Sequence, residues 1–194
     1  ITDQSVDLNN FPSLLECVLK RMRFDQDLII ISDTANDTLD YTGPALNKGS
    51  RGIFLGVGTP IRSLPRHYQG PSLPGVSRIG VFCGGCLVLE TSIQQINIPL
   101  LLKESHLEQW PLIVLVEDLS KTLSDTKEFL WRTFTRSSPA TDLHIPVSHV
   151  TNHKISYRPP MILNALMKPS YPKEVEADEE TKKHVSSRWD KYFS

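Results

Sequence analysis

Apolar residues at Phe11, Leu14, Leu15, Val18, Leu19 and Met22 recur at helical spacing and predict an amphipathic helix over roughly Phe11 to Arg23. Asn10 is placed to cap it and Pro12 falls in its first turn. Lys20, Arg21 and Arg23 fall in its last turn, where cations suit the helix dipole. The pattern then changes. Asp27-Leu-Ile-Ile-Ile-Ser32 is a short β-branched run and predicts a buried strand. Pro111-Leu-Ile-Val-Leu-Val116 predicts a stronger one. A helix over about Ser124 to Thr135 follows, with Leu123, Leu130, Trp131 and Phe134 on its apolar face. Pro139 lies beyond its end, and Asp142-Leu-His-Ile145 resumes extended chain.

These two stretches can be laid on each other without a gap. At a constant offset of 115 positions, Asp3 falls on Asp118, Ser5 on Ser120, Leu8 on Leu123 and Leu15 on Leu130. Arg21 falls on Arg136, Asp27 on Asp142, Leu28 on Leu143 and Ile30 on Ile145. A match of this length suggests one supersecondary unit used twice. Gly52-Ile-Phe-Leu-Gly-Val-Gly-Thr-Pro60 resembles Met161-Ile-Leu-Asn-Ala-Leu-Met-Lys-Pro169 at an offset of 109, which implies a loop six residues shorter in the second copy. Strands joined by crossover helices favour parallel pairing. The expected fold is α/β, a mainly parallel sheet with flanking helices, built from two related strand-helix-strand units. The expected organisation is a single domain over 1–194, with units at about 1–60 and 111–170 and a connection at 61–110. In that connection, Arg78-Ile-Gly-Val-Phe82 and Cys86-Leu-Val-Leu-Glu90 predict a strand pair. A polar helix over 178–193 closes the chain, with a narrow seam of Val185, Trp189 and Tyr192 and with Trp189 anchored on a neighbour.

The 194 residues suffice for one domain with a real core, and 39% hydrophobic with 22% charged residues describes a globular chain. A net charge of −1 gives no general argument for nucleic acid or an anionic membrane. No apolar run approaches the length of a membrane span. The chain opens at Ile1 in what reads as the end of a strand, with no starter Met, signal or transit sequence, and is read as a piece of a longer protein. Three cysteines cannot all pair within one chain, so a reducing, cytoplasmic setting is the default.

Several motifs suggest chemistry. Cys83-Gly-Gly-Cys86 is compatible with a redox dithiol or with half a zinc site, His149 and His153 supplying the rest. The distance from Cys86 to His149 is long for a zinc finger, and apolar strand residues follow Cys86. A glycine turn with cysteines packed as small hydrophobes fits better. Gly56-Val-Gly58 and Gly84-Gly85 complete no phosphate-loop pattern and read as turn or bulge glycines. Asp33, Asp37 and Asp40 cluster after a strand, compatible with a cation but better suited to turns and caps. Arg21/Asp27 and Arg136/Asp142 recur at one spacing and suggest a bidentate pair that fixes helix to strand. No triad can be argued around the six histidines.

Arg21-Met-Arg-Phe-Asp-Gln-Asp27, Asp37-Thr-Leu-Asp-Tyr-Thr-Gly-Pro44, Phe129-Leu-Trp-Arg-Thr-Phe-Thr-Arg-Ser-Ser-Pro-Ala-Thr-Asp142 and Pro160-Met-Ile-Leu-Asn-Ala-Leu-Met-Lys-Pro-Ser-Tyr-Pro172 resemble the C-terminal region of the UbiD family. These are decarboxylases of aromatic and α,β-unsaturated acids that use prenylated FMN. The likeness extends over nearly the whole chain and points to the branch associated with menaquinone or ubiquinone biosynthesis. It implies an assembly and lid domain that forms a homo-oligomer, a dimer through this domain. It also implies that the prenylated FMN, a divalent metal and the catalytic residues lie in an N-terminal part not present in this chain. No catalytic, cofactor-binding or metal-ligating residue is therefore assigned here. The alternative is a non-catalytic oligomerisation or interaction module.

Overall fold

The computed structural model describes residues 1–152, 154–172, 175 and 177–192. The first helix, α1 (Phe11–Arg21), forms where its apolar stripe predicts, and the Asn10 side chain accepts the Ser13 N–H at its start. β1 (Leu28–Ala35) and β2 (Lys48–Phe54) then form an antiparallel two-stranded ribbon. β3 (Val76–Cys83) and β4 (Cys86–Thr91) form a hairpin, and α2 (Ile98–Leu101) leads through a short 3-10 turn to β5 (Leu112–Val116). Three helices follow: α3 (Leu119–Thr122), α4 (Thr126–Phe134) and α5 (Pro139–Asp142). β6 (Leu143–His144), a hairpin of β7 (Val147–Thr151) and β8 (Lys154–Tyr157), β9 (Met161–Asn164) and α6 (Glu179–Tyr192) complete the chain.

Among the described residues five strands make the central sheet, in the order β3-β4-β5-β9-β6. Both ladders of β5 are parallel, and the outer two are antiparallel. The sheet is mixed rather than mainly parallel because the two-glycine turn between β3 and β4 is too short for a crossover. Its strands alternate with period two. Cys86, Val88, Leu112, Val114, Met161 and Leu163 face a core shared with Leu15, Val18 and Leu19 of α1 and with Met22 just after it. Leu87, Leu89, Ile113, Leu115 and Ile162 face a second core with Leu101, Leu107 and Trp110. Both faces are covered, so β4 and β5 read as continuous apolar runs.

The first of the two expected units departs from its prediction. β1 does not enter the sheet, and Ile29, Ile30 and Ile31 are 42%, 38% and 44% exposed. β2 is its only ladder partner among the described residues, so its other edge has no strand beside it. β2 and β9, which the sequence lays on each other, likewise lie in different sheets. The seam of α6 also stays on the surface: none of its residues is buried, and Trp189 is 56% exposed. The β3–β4 hairpin matches the predicted strand pair, with Gly85 at φ +80°, where a Cβ would meet the Leu64 side chain at 2.7 Å.

Candidate functional site

A cavity of about 380 Å³ lies between α1, β2, α4 and α5. The helical periodicity of α1 places Phe11, Leu14 and Val18 on its wall, and α4 contributes Phe129 and Phe134. Phe129 is held by a face-to-face stack on Phe82, with ring centroids 3.5 Å apart. Polar residues also line the cavity. Asp40 and Thr42 come from the β1–β2 loop, Ser50 and Arg51 from β2, and Thr133 and Ser137 from α4 and the segment after it. The Ser50 and Ser138 hydroxyls lie 2.8 Å apart, and Ser50 Oγ accepts the Ala140 N–H, tying the ribbon to α5. Thr133 is buried, and its hydroxyl finds no hydrogen-bond partner among the described residues.

Arg51 and Asp40 are the charged groups of the lining. The Asp40 carboxylate is turned into its own loop: Oδ1 accepts Thr42 N–H at 3.0 Å and Thr42 Oγ1–H at 2.6 Å, and Oδ2 accepts from Asn36 Nδ2. Partial burial pushes this carboxyl up, but those hydrogen bonds and the Arg51 charge outweigh it and hold it below the usual carboxylate range. Arg51 donates from one terminal nitrogen to its own Ser50 carbonyl at 3.1 Å. The rest of the predicted acidic cluster is structural. Asp33 sits at φ 54° where the β1–β2 register slips, and Asp37 Oδ1 accepts the Leu39 N–H at 2.8 Å.

The recurring Arg and Asp residues do not form the expected bidentate pairs. Arg21 Nε donates to the Gly58 carbonyl at 2.8 Å, and Arg136 lies 3.6 Å from Glu117. The aspartates instead close turns. Asp27 Oδ2 accepts the Arg23 N–H at 2.7 Å while Asp27 N–H donates to Arg23 O at 2.8 Å. Asp142 Oδ2 accepts the Ser138 N–H at 2.7 Å while Asp142 N–H donates to Ser138 O at 2.8 Å. Arg23 and Ser138 are related by the same offset of 115. A carboxylate that receives a backbone N–H four residues back needs only Asp at that position, so the arginine spacing was incidental.

Asp142 also receives the Lys168 ammonium at 3.1 Å. Lys168 donates as well to the carbonyls of Arg136 at 2.7 Å and Asn164 at 2.9 Å, so all three of its protons have acceptors. Burial pulls the Lys168 pKa down, against the charges of Asp142 and Glu117, which raise it. The Tyr171 ring lies beside Lys168 and meets Tyr41 edge-on at 5.0 Å. Burial raises the Tyr171 pKa first, and the charges of Asp142 and Asp40 and the neighbouring Tyr41 add to it.

Cys83 and Cys86 face each other across the hairpin as buried, free thiols. Burial pushes the Cys86 thiol well up, with Cys83 adding to the shift, opposite to what a nucleophilic cysteine needs. Gly84 N–H is pinned by Glu16 of α1 at 2.8 Å, so the turn serves packing. His149 is exposed on β7, and His153 lies outside the described residues. Among the described residues no three His, Cys, Asp or Glu side chains gather as a ligand set. No described helix is long and apolar enough to cross a membrane.

The cavity was not legible in the sequence, because its walls come from segments more than a hundred residues apart. Lys168 carried a weak signal as part of the Pro160–Pro172 motif.

Residues 1–56 match the family described as the 3-octaprenyl-4-hydroxybenzoate carboxy-lyase C-terminal domain, UbiD_C. The matched segment contains α1, the Asp27 turn and the β1–β2 ribbon. An uncharacterized protein of Chlamydia trachomatis serovar D is 79% identical over 193 residues, covering 100% of this chain and 33% of that protein. A 4-hydroxybenzoate decarboxylase subunit of Chlamydia pneumoniae is 56% identical over the same length, again with 100% and 33% coverage. The chain thus spans a third of the length of the curated relatives it matches. Sedimentibacter hydroxybenzoicus vanillic acid decarboxylase in closed form covers 87% of this chain and 44% of its own at 13% identity, with a TM-score of 0.41, which marks a partial superposition. Residues 1–56 are thus similar to the UbiD C-terminal domain, in a chain that is 56% identical along its length to part of a decarboxylase subunit.

Proposed function

We propose that these residues form the C-terminal assembly and lid domain of a UbiD-type carboxy-lyase that removes CO2 from an aromatic acid in menaquinone or ubiquinone biosynthesis. The observation that carries this reading is the family match over residues 1–56, in a chain 56% identical to a 4-hydroxybenzoate decarboxylase subunit. The whole of 1–194 acts as one domain of a longer enzyme, the two Asp-closed turns being the trace of a duplicated unit. The enzyme is cytoplasmic and dimerises through this domain. No set of three His, Cys, Asp or Glu ligands for the divalent metal gathers among the described residues, and we assign no residue of this chain to the prenylated FMN. Both groups belong to the part of the enzyme outside this chain, and no catalytic residue is assigned within it. The cofactor supplies the electron sink, and this domain supplies closure and orientation.

The test is decarboxylation by the full natural polypeptide, produced with prenylated FMN and given 4-hydroxybenzoate and related aromatic acids. Release of CO2 is expected from the intact chain, and none from residues 1–194 alone. Cofactor-dependent release by residues 1–194 alone would overturn the division of labour. An inert full chain across the acid series would leave the second reading, a non-catalytic interaction module, which the exposed isoleucines of β1 favour.

A further inference from the structure

The cavity beneath the ribbon pairs an apolar chamber with one cation. Its volume of about 380 Å³ falls in the range of small-molecule sites. Leu14 and Val18 of α1, Phe129 and Phe134 of α4, and Leu163 of β9 supply an apolar body-binding surface. The two charged lining groups are not equivalent. Asp40 has both oxygens engaged by three donors of its own loop, so it has little acceptor capacity left to offer a ligand. Arg51 uses one donor on the Ser50 carbonyl, and its Nε–H and second terminal nitrogen meet no acceptor among the described residues. Those remaining groups form the planar edge that receives a carboxylate with two hydrogen bonds. The Arg51 stem leaves β2 opposite Ile31, on a strand tied to α5 through Ser50, so the cation is carried by a fixed element rather than by a free loop.

We propose that this cavity binds a monocarboxylate with an apolar body, its hydrocarbon part among Leu14, Phe129 and Leu163 and its carboxylate on the Arg51 guanidinium. The site lies wholly within this chain and uses no flavin or metal, so it does not rest on the carboxy-lyase reading. A ligand seated there bridges the ribbon to α1 and α4 and stabilises the three as a unit. A neutral ligand of equal length would gain the apolar contacts alone.

The experiment is a titration of the full natural polypeptide, methyl-labelled at Leu and Val, with sodium decanoate below its micellar range and, separately, with 1-decanol. Decanoate is expected to shift the Leu14, Val18 and Leu163 methyl signals and to bind more tightly than decanol. Arg51→Gln is expected to weaken decanoate about 10-fold or more, the scale of a lost hydrogen bond to a charged group, and to leave decanol unchanged. Arg51 is exposed, so this variant keeps the fold. Leu14→Trp fills the chamber and is expected to abolish both sets of shifts. Decanoate that leaves the three methyl signals in place overturns the site. Equal decanoate affinity in Arg51→Gln overturns the acid recognition. Failure of 4-hydroxybenzoate decarboxylation affects neither result, so the two readings fail separately.

Discussion

The turn closed by Asp27 and the turn closed by Asp142 share their local hydrogen bonds and differ in almost everything around them. After Asp27 the chain enters an exposed ribbon, and the neighbouring cation is Arg23, whose side chain is 54% exposed. After Asp142 it enters the central sheet beside β9, and the neighbouring cation is Lys168, held by two carbonyls as well as the carboxylate. A short stretch of sequence thus specifies the turn. The two aspartates are buried alike; the cation beside each is not, and the burial of that cation sets the energy at stake.

The largest expected effect is at Asp142. Asp142→Ala leaves the Lys168 ammonium without its counter-charge in a largely buried place and costs about 3–5 kcal/mol, measured by denaturant unfolding. Asp142→Asn retains an acceptor for the Ser138 N–H and costs less. Asp27→Ala removes the acceptor of the Arg23 N–H beside a solvated cation and costs about 1–3 kcal/mol. Equal losses at the two aspartates would break the comparison. Arg23→Ala should change stability by only about 0–1 kcal/mol, because its ion pair is open to solvent.

A last and smaller contrast is in pH. His144 stands in the second copy where Ile29 stands in the first. Burial lowers the His144 pKa below its ordinary 6.5, against a raising influence of Asp142, while Lys168 lowers it further. The unfolded chain therefore binds the proton more readily. The stability linked to His144 is present above pH 6.5 and is lost as pH falls from 6.5 toward the lowered value. Unfolding profiles between about pH 7 and pH 5 should steepen in the wild type and flatten in His144→Gln. A profile unchanged by that substitution would assign the acid sensitivity to other groups.

Elements that carry their own local signal were legible in the sequence. Asn10 and the stripe from Phe11 to Met22 announced α1, and Cys83-Gly-Gly-Cys86 between two apolar runs announced the hairpin. β1 was visible as a strand but not as an exposed one. Ile29-Ile-Ile31 has the composition of a buried strand, and composition cannot say whether anything covers it. The Asp-closed turns were visible as a recurrence but were given the wrong partner, because sequence spacing does not separate a side-chain ion pair from a backbone hydrogen bond. The cavity depends on β2 approaching α4 and α5, a contact between segments that no short-range pattern encodes.

The ribbon has a consequence for handling the protein. Three consecutive isoleucines stand 38–44% exposed on a two-stranded arm, and the chain as a whole carries a net charge of only −1. Unpaired strand edges with apolar faces recruit one another, and so small a charge supplies little repulsion to keep molecules apart. When residues 1–194 are produced alone, their solubility is governed by this arm rather than by the stability of the sheet. Light scattering should then rise with protein concentration well below the temperature at which the core unfolds.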